Sequence, residues 1–113
     1  MERVPHWYNE FQDYVLKYWL LEGTGEFTKE SIAPDTLYQL LHYDKEHGTE
    51  LYETLKTYLM NERNSTLTAQ LLKINRSTLP HRLNRITRLT GANLDDFMTR
   101  LYLMMGFYIL DYI

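Results

Sequence analysis

The sequence predicts an all-α protein, a multi-helix bundle containing a helix-turn-helix, and three observations carry that expectation. Apolar residues recur at helical spacing along the chain, and no stretch shows the alternation of a strand. Residues 64–91, NSTLTAQLLKINRSTLPHRLNRITRLTG, read as two short helices joined by a tight turn. Charge is concentrated on that same segment. The chain holds twelve Lys and Arg against fifteen Asp and Glu. Six of the twelve (Arg63, Lys73, Arg76, Arg82, Arg85, Arg88) and none of the fifteen fall within residues 63–94. The formal net charge of −3 would not suggest a polyanionic partner; its distribution does.

Taken in order, residues 6–22 place Trp7, Phe11, Tyr14, Val15, Tyr18 and Trp19 at helical spacing, with Glu10, Asp13 and Lys17 between them. That is an amphipathic helix, ended by Gly23 and Gly25. Residues 23–33 read as a connector. Pro34 and Asp35 open a second helix with Leu37, Leu40, Leu41 and Tyr43 facing inward. Gly48 breaks it, and Thr49 is the expected cap of a third helix carrying Leu51, Leu55, Tyr58 and Leu59. Asn64 or Ser65 caps the first helix of the pair, in which Ala69, Leu72 and Ile74 face inward. Leu79, Leu83 and Ile86 line one face of the second. Beyond Gly91, Asp95 and Asp96 supply a cap and favourable dipole charge for a last helix.

That last helix, FMTRLYLMMGFYILDY, is apolar nearly all round, relieved only at Thr99 and Arg100. Two packings stand open for it. It lies under the first and third helices of its own chain, or part of it joins the aromatic first helix in a subunit or interdomain contact.

Composition sets further bounds. One domain, or a small domain with an appendage, fits 113 residues. With no cysteine, a disulfide framework and a thiolate zinc finger are excluded, and the chain fits a reducing cytoplasm. No apolar run approaches the roughly 20 residues of a spanning helix, and the start MERVPHWYNE has no signal core. His42, Asp44, Glu46 and His47 lie close together but lack a metal-ligand spacing, so they read as a solvated helix end. The acids Asp44, Glu46, Glu50 and Glu53 form a negative patch expected to point away from phosphate. No nucleophile–base arrangement, phosphate loop or acid pair stands out; the reading is neither an enzyme nor a cofactor protein.

Pro80 locates the second helix of the pair. Its ring clashes with the carbonyl four residues back and it donates no N–H, so it belongs in a first turn. Ser77 is then the N-cap, its hydroxyl accepting from the Leu79 N–H, and Arg76 lies in the turn. With Leu79, Leu83 and Ile86 inward, steps of about 100° place Ser77, His81, Asn84 and Arg88 outward. Thr78 and Arg85 fall on one flank, with Arg82 nearer the core boundary. The N-terminal residues of such a helix reach base edges. Ser77, Thr78 and His81 are the candidates for that role; Arg76, Arg82, Arg85 and Arg88 suit phosphates or groove walls. With Asn75 in the turn, these nine residues are the predicted contacts to double-stranded DNA. A lone helix-turn-helix reads a half-site, so a homodimer is expected. The competing reading is a helical interaction module that uses the aromatic first and last helices and binds no DNA itself.

The segment LTAQLLKINRSTLPHRLNRI resembles the Fis-type helix-turn-helix, and more of the chain resembles the C-terminal domain of PucR/CdaR transcriptional regulators. The signatures are Tyr43 and Asp44, then Gly48, Thr49, Glu50 and Leu51, then Thr54, Leu55, Tyr58 and Leu59. They continue with Asn64, Thr68, Ala69, Arg76, Thr78, Leu79, Arg82, Leu83, Arg85 and Ile86. Leu89, Thr90, Gly91, Leu94, Asp95 and Asp96 complete a likeness covering residues 34–110. It implies a bacterial regulator whose DNA-binding domain occupies residues 34–113, with residues 1–33 forming the junction to an N-terminal sensory region. An effector would then bind a region not present in these 113 residues, which would be a fragment or remnant of a longer protein. Three positions depart from the pattern. Pro80 stands where the family usually has arginine, His81 where it has tyrosine, and Lys73 where the Fis-type turn has glycine.

Overall fold

Helices form where the apolar spacing places them. The structure is a computed structural model describing residues 33–112 and, upstream, the helical positions Tyr14, Val15, Tyr18 and Glu22. The rest of the expected first helix and nearly all of its connector lie outside the described residues. Five helices follow: α1 (Asp35–His47), α2 (Leu51–Met60), α3 (Ser65–Leu72), α4 (Thr78–Thr90) and α5 (Phe97–Tyr112). No strand occurs among the described residues. The all-α reading and the helix-turn-helix of α3 and α4 agree with this order.

Helix α2 is the central element and packs against each of the other four. Its inward stripe of Leu51, Leu55 and Leu59 meets Leu37 and Leu40 of α1, Ile86 of α4, Ala92, and Leu103 and Phe107 of α5. Burying one such leucine contributes about 1.5–3 kcal/mol. Tyr43, Tyr58 and Leu83 pack partly buried around this core. Leu41 corrects the expectation, being well exposed. The inward stripe of α1 runs Leu37, Leu40, Asp44, which leaves Leu41 outside it.

Asp44 is on that stripe for a reason. Its carboxylate accepts from the backbone N–H of Leu51 (2.8 Å) and Tyr52 (2.9 Å) and from the Thr49 hydroxyl (2.5 Å). Thus Thr49 does not cap α2; Glu50 is its N-cap residue, without a side-chain cap bond, and Asp44 supplies the acceptor from the preceding helix. Gly48 makes this possible. Its left-handed φ of 66° ends α1 and turns the chain back. The same carboxylate is therefore not part of a free acidic patch. Nearby, His42 pairs with Glu46 at 3.2 Å, and His47 stacks on Tyr43 with ring centroids 4.0 Å apart.

Helix α5 packs on α1 and α2. Tyr52 meets Phe107 edge to face at 5.0 Å, and its hydroxyl donates to Asp111 (2.9 Å), which also pairs with Lys56 (2.6 Å). Burial, then the Asp111 acceptor, pushes the Tyr52 phenol well above its ordinary range. At Gly106 the start of α1, with Pro34 before it, comes close. A Cβ there would overlap Pro34 Cδ and lie 2.9 Å from Leu37 Cδ1. A flank of α5 exposes apolar surface: Met98 is 64% exposed, Tyr102 56% and Met105 42%, whereas Ile109 further along the same stripe is buried. Within its own chain α5 is thus half a core helix, which answers only part of the question its composition raised.

Candidate nucleic-acid interface

The turn between α3 and α4 is built by backbone hydrogen bonds. Asn64 opens α3, its side chain accepting from the Leu67 N–H at 3.0 Å. At the far end the Ile74 N–H donates to Ala69 O (3.0 Å) and the Lys73 N–H to Gln70 O (3.2 Å). This paired arrangement requires a left-handed residue where the helix stops. Lys73 supplies it with φ 57°, at the position where the Fis-type turn has glycine. Non-glycine residues meet Cβ crowding in that conformation, at about 1–2 kcal/mol.

The chain then makes a second turn, closed by the Thr78 N–H donating to Asn75 O (3.0 Å). Helix α4 begins at Thr78, so Ser77 is the N-cap residue and Pro80 sits in the first turn, where its missing N–H has no partner to lose. The Ser77 hydroxyl, however, makes no cap bond. Ser77 has helical backbone angles (φ −71°, ψ −24°), whereas a capping side chain is aimed by an extended backbone. The expected bond to the Leu79 N–H is therefore absent. No acid lies in the first turn of α4 either, and Arg88 is in its last. Gly91, left-handed at φ 72°, ends the helix.

Buried Leu79 and Ile86 and half-buried Leu83 hold α4 against the core. Asn75, Arg76, Ser77, His81, Asn84, Arg85 and Arg88 are all exposed, and Thr78 is half-exposed on the flank. Eight of the nine predicted contacts thus lie on one accessible turn and helix face. Arg82 is the ninth and differs from them. It points along α4 toward α2, where its Nη1 donates to the buried Thr54 hydroxyl at 3.0 Å and lies 3.9 Å from a Glu50 carboxylate oxygen.

Between α4 and the start of α2 runs an open cleft of about 500 Å³, lined by Gly48, Thr49, Glu50, Leu51, Thr78, His81, Arg82 and Arg85. Glu50 therefore borders the basic face. The expectation that the acids of this region all point away from it is corrected, because the Asp44 cap folds the loop at 48–50 back beside α4. Neither Glu50 nor Thr54 was singled out from sequence as part of this surface. The available signal was Thr54 itself, a hydroxyl on the apolar stripe between Leu51 and Leu55.

Among the described residues, no helix is long and apolar enough to cross a membrane. No curated protein and no solved structure matches the chain. A family model does, that of the PucR C-terminal helix-turn-helix domain, over residues 51–109. The matched span starts at α2 and takes in all of α3 and α4, including the nine residues above, and most of α5. It is narrower than the likeness read from residue 34, although α1 shares the same core. With more than half of its length matched, and an all-α fold carrying a helix-turn-helix, the chain belongs to the family of PucR C-terminal helix-turn-helix domains, a DNA-binding family of transcription regulators.

Proposed function

We propose that this chain is the DNA-binding end of a longer cytoplasmic transcription regulator and that α4 enters the major groove as its recognition helix. Ser77, Thr78 and His81 at its first turns reach base edges. Asn75, Arg76, Asn84, Arg85 and Arg88 hold the phosphate backbone on either side. The observation that carries this reading is the state of α4's outer face. Its polar and basic side chains are exposed, and its start carries neither a capping side chain nor an acid. The positive end of the helix dipole and the arginines therefore act in the same direction on a phosphate.

The test is duplex binding as a function of salt. Log affinity should fall linearly with log salt, and Arg85→Ala should lower that slope by about 0.9, the loss of one phosphate contact. Failure of the folded chain to bind any duplex at low salt would sink the reading.

A second element of the reading is a homodimer that presents two such helices to two half-sites. It is favoured by the exposed stripe of Met98, Tyr102 and Met105, together with the exposed Phe97. The same stripe favours the rival reading, an interaction module without DNA binding. Sedimentation separates the parts: a monomer at high concentration removes the dimer, whereas a partner bound by a chain that ignores DNA supports the rival. Residues 34–113 are proposed as the DNA-binding unit and residues 1–33 as its junction to a sensory region.

A further inference from the structure

We infer that Arg82, although it belongs to the basic set of α4, is a positioning residue that braces the recognition helix against α2 and holds no phosphate. This rests on the DNA-binding reading above and concerns what one of its residues does.

The first ground is direction. Residue 82 lies between the inward positions 79 and 86 on α4, so its side chain leaves the helix at the core boundary. Its side chain is 26% exposed, whereas Arg76, Arg85 and Arg88 stand in the open.

The second ground is what its guanidinium already does. Arg82 Nη1 donates to Thr54 Oγ1 at 3.0 Å. That hydroxyl is fully buried and donates in turn to Glu50 O at 2.7 Å. The chain of bonds runs from the recognition helix, through a side chain of α2, to the backbone at the start of α2. Directly after Glu50, the Asp44 carboxylate fixes the Leu51 and Tyr52 amides. The brace therefore ends on a part of the molecule that is itself held at several points.

A third ground is charge. The Glu50 carboxylate, 70% exposed, lies 3.9 Å from Arg82 Nη1. A phosphate approaching that nitrogen would meet an acid already in place, and like charges at this range repel. Arg85 borders the same cleft and has no such ion pair among the described residues.

These roles have different signatures. A phosphate holder sets affinity for every duplex and adds to the salt dependence. A brace sets the angle at which Ser77, Thr78 and His81 meet base edges, so its loss degrades sequence preference and leaves the ionic slope in place. Thr54 separates the two most cleanly, since it is buried, uncharged and cannot touch DNA.

The experiment uses the full 113-residue chain and a pool of random-sequence duplexes, read in two ways. The first is the slope of log affinity against log salt on the pool; the second is the preference for the sequence the wild type enriches over the pool. Arg82→Met should keep the wild-type slope, whereas Arg85→Ala should lose about 0.9 of it. Arg82→Met and Thr54→Val should both lower the sequence preference by about tenfold, the scale of one lost base-edge contact. The inference is overturned if Arg82→Met loses as much slope as Arg85→Ala, if Thr54→Val leaves the preference intact, or if the wild type binds duplexes with no preference. Should Arg82→Met fail to fold, Thr54→Val alone decides, because it alters no charge. A wild type that binds no duplex at all overturns the DNA reading and this inference together; the other outcomes leave the DNA reading standing.

Discussion

The two helices that flank the cleft begin in opposite ways. At the start of α2, two backbone amides are taken by the Asp44 carboxylate, and Glu53 lies in the first turn. At the start of α4, no side chain caps, no acid lies in the first turn, and a proline occupies a position where an amide would otherwise stand. Both are N-termini with the same dipole. The first has its positive end neutralised from within the protein and is unavailable to an outside anion. The second keeps it. A surface for a polyanion is thus defined as much by which helix starts are closed as by where arginines lie.

Removing the closure should have the largest effect. Asp44→Ala withdraws an ionised acceptor from three donors and should cost about 2 kcal/mol of stability, measured as a fall in the urea midpoint. A variant as stable as the wild type would mean that the capped start is not what holds the loop at 48–50.

The next contrast is between two caps. Asn64→Ala removes a formed bond to Leu67 N and should cost about 1 kcal/mol. Ser77→Ala removes a hydroxyl that caps nothing and should change stability by less than roughly 0.3 kcal/mol. Equal losses in urea melts would show that Ser77 caps in solution and that the start of α4 is closed after all.

Lys73 sharpens the comparison from the turn that leads into α4. Lys73→Gly relieves crowding at φ 57° but frees the unfolded chain, so a net gain of roughly 0.5 kcal/mol is expected. A thermal midpoint lower than wild type would contradict it.

The smallest effect concerns a third helix start. Asp96 accepts from the Thr99 hydroxyl and N–H at the head of α5, and these bonds hold its carboxyl below the ordinary 3.8. A depressed carboxyl contributes stability above its unfolded pKa and loses it as pH falls through the lower folded value. The stability difference between wild type and Asp96→Asn should therefore be constant at neutral pH and close only on strong acidification. A difference that instead grows with acid would refute the cap.

Much of the fold was legible because it depends on local periodicity. Leu51, Leu55 and Leu59, or Leu79, Leu83 and Ile86, announce a buried helix face wherever the partner helix lies. Gly48, Gly91 and Pro80 mark helix ends for reasons confined to one or two residues. What was not legible depends on partners distant in sequence. Asp44 caps amides seven and eight positions onward, and so an expected Thr49 cap gave way to it. Leu41 was assigned inward by spacing, but the position of α2 leaves it outside. The outer face of α4 could be enumerated from a helical wheel. The wheel could place Arg82 near the core boundary, but not against Thr54, which is 28 residues away.

Gly106 has a consequence for how this domain can change. The approach of Pro34 leaves no room there for even one carbon, while Met98, Tyr102 and Met105 on the same helix face open solvent. Variation along α5 should therefore be sharply uneven. In a library that randomises the helix and retains folded clones, position 106 should return glycine almost alone, and the three exposed positions should return a broad mixture. A helix that looks uniformly greasy in sequence is, to a selection for folding alone, a buried face with one immovable point beside a strip that can vary.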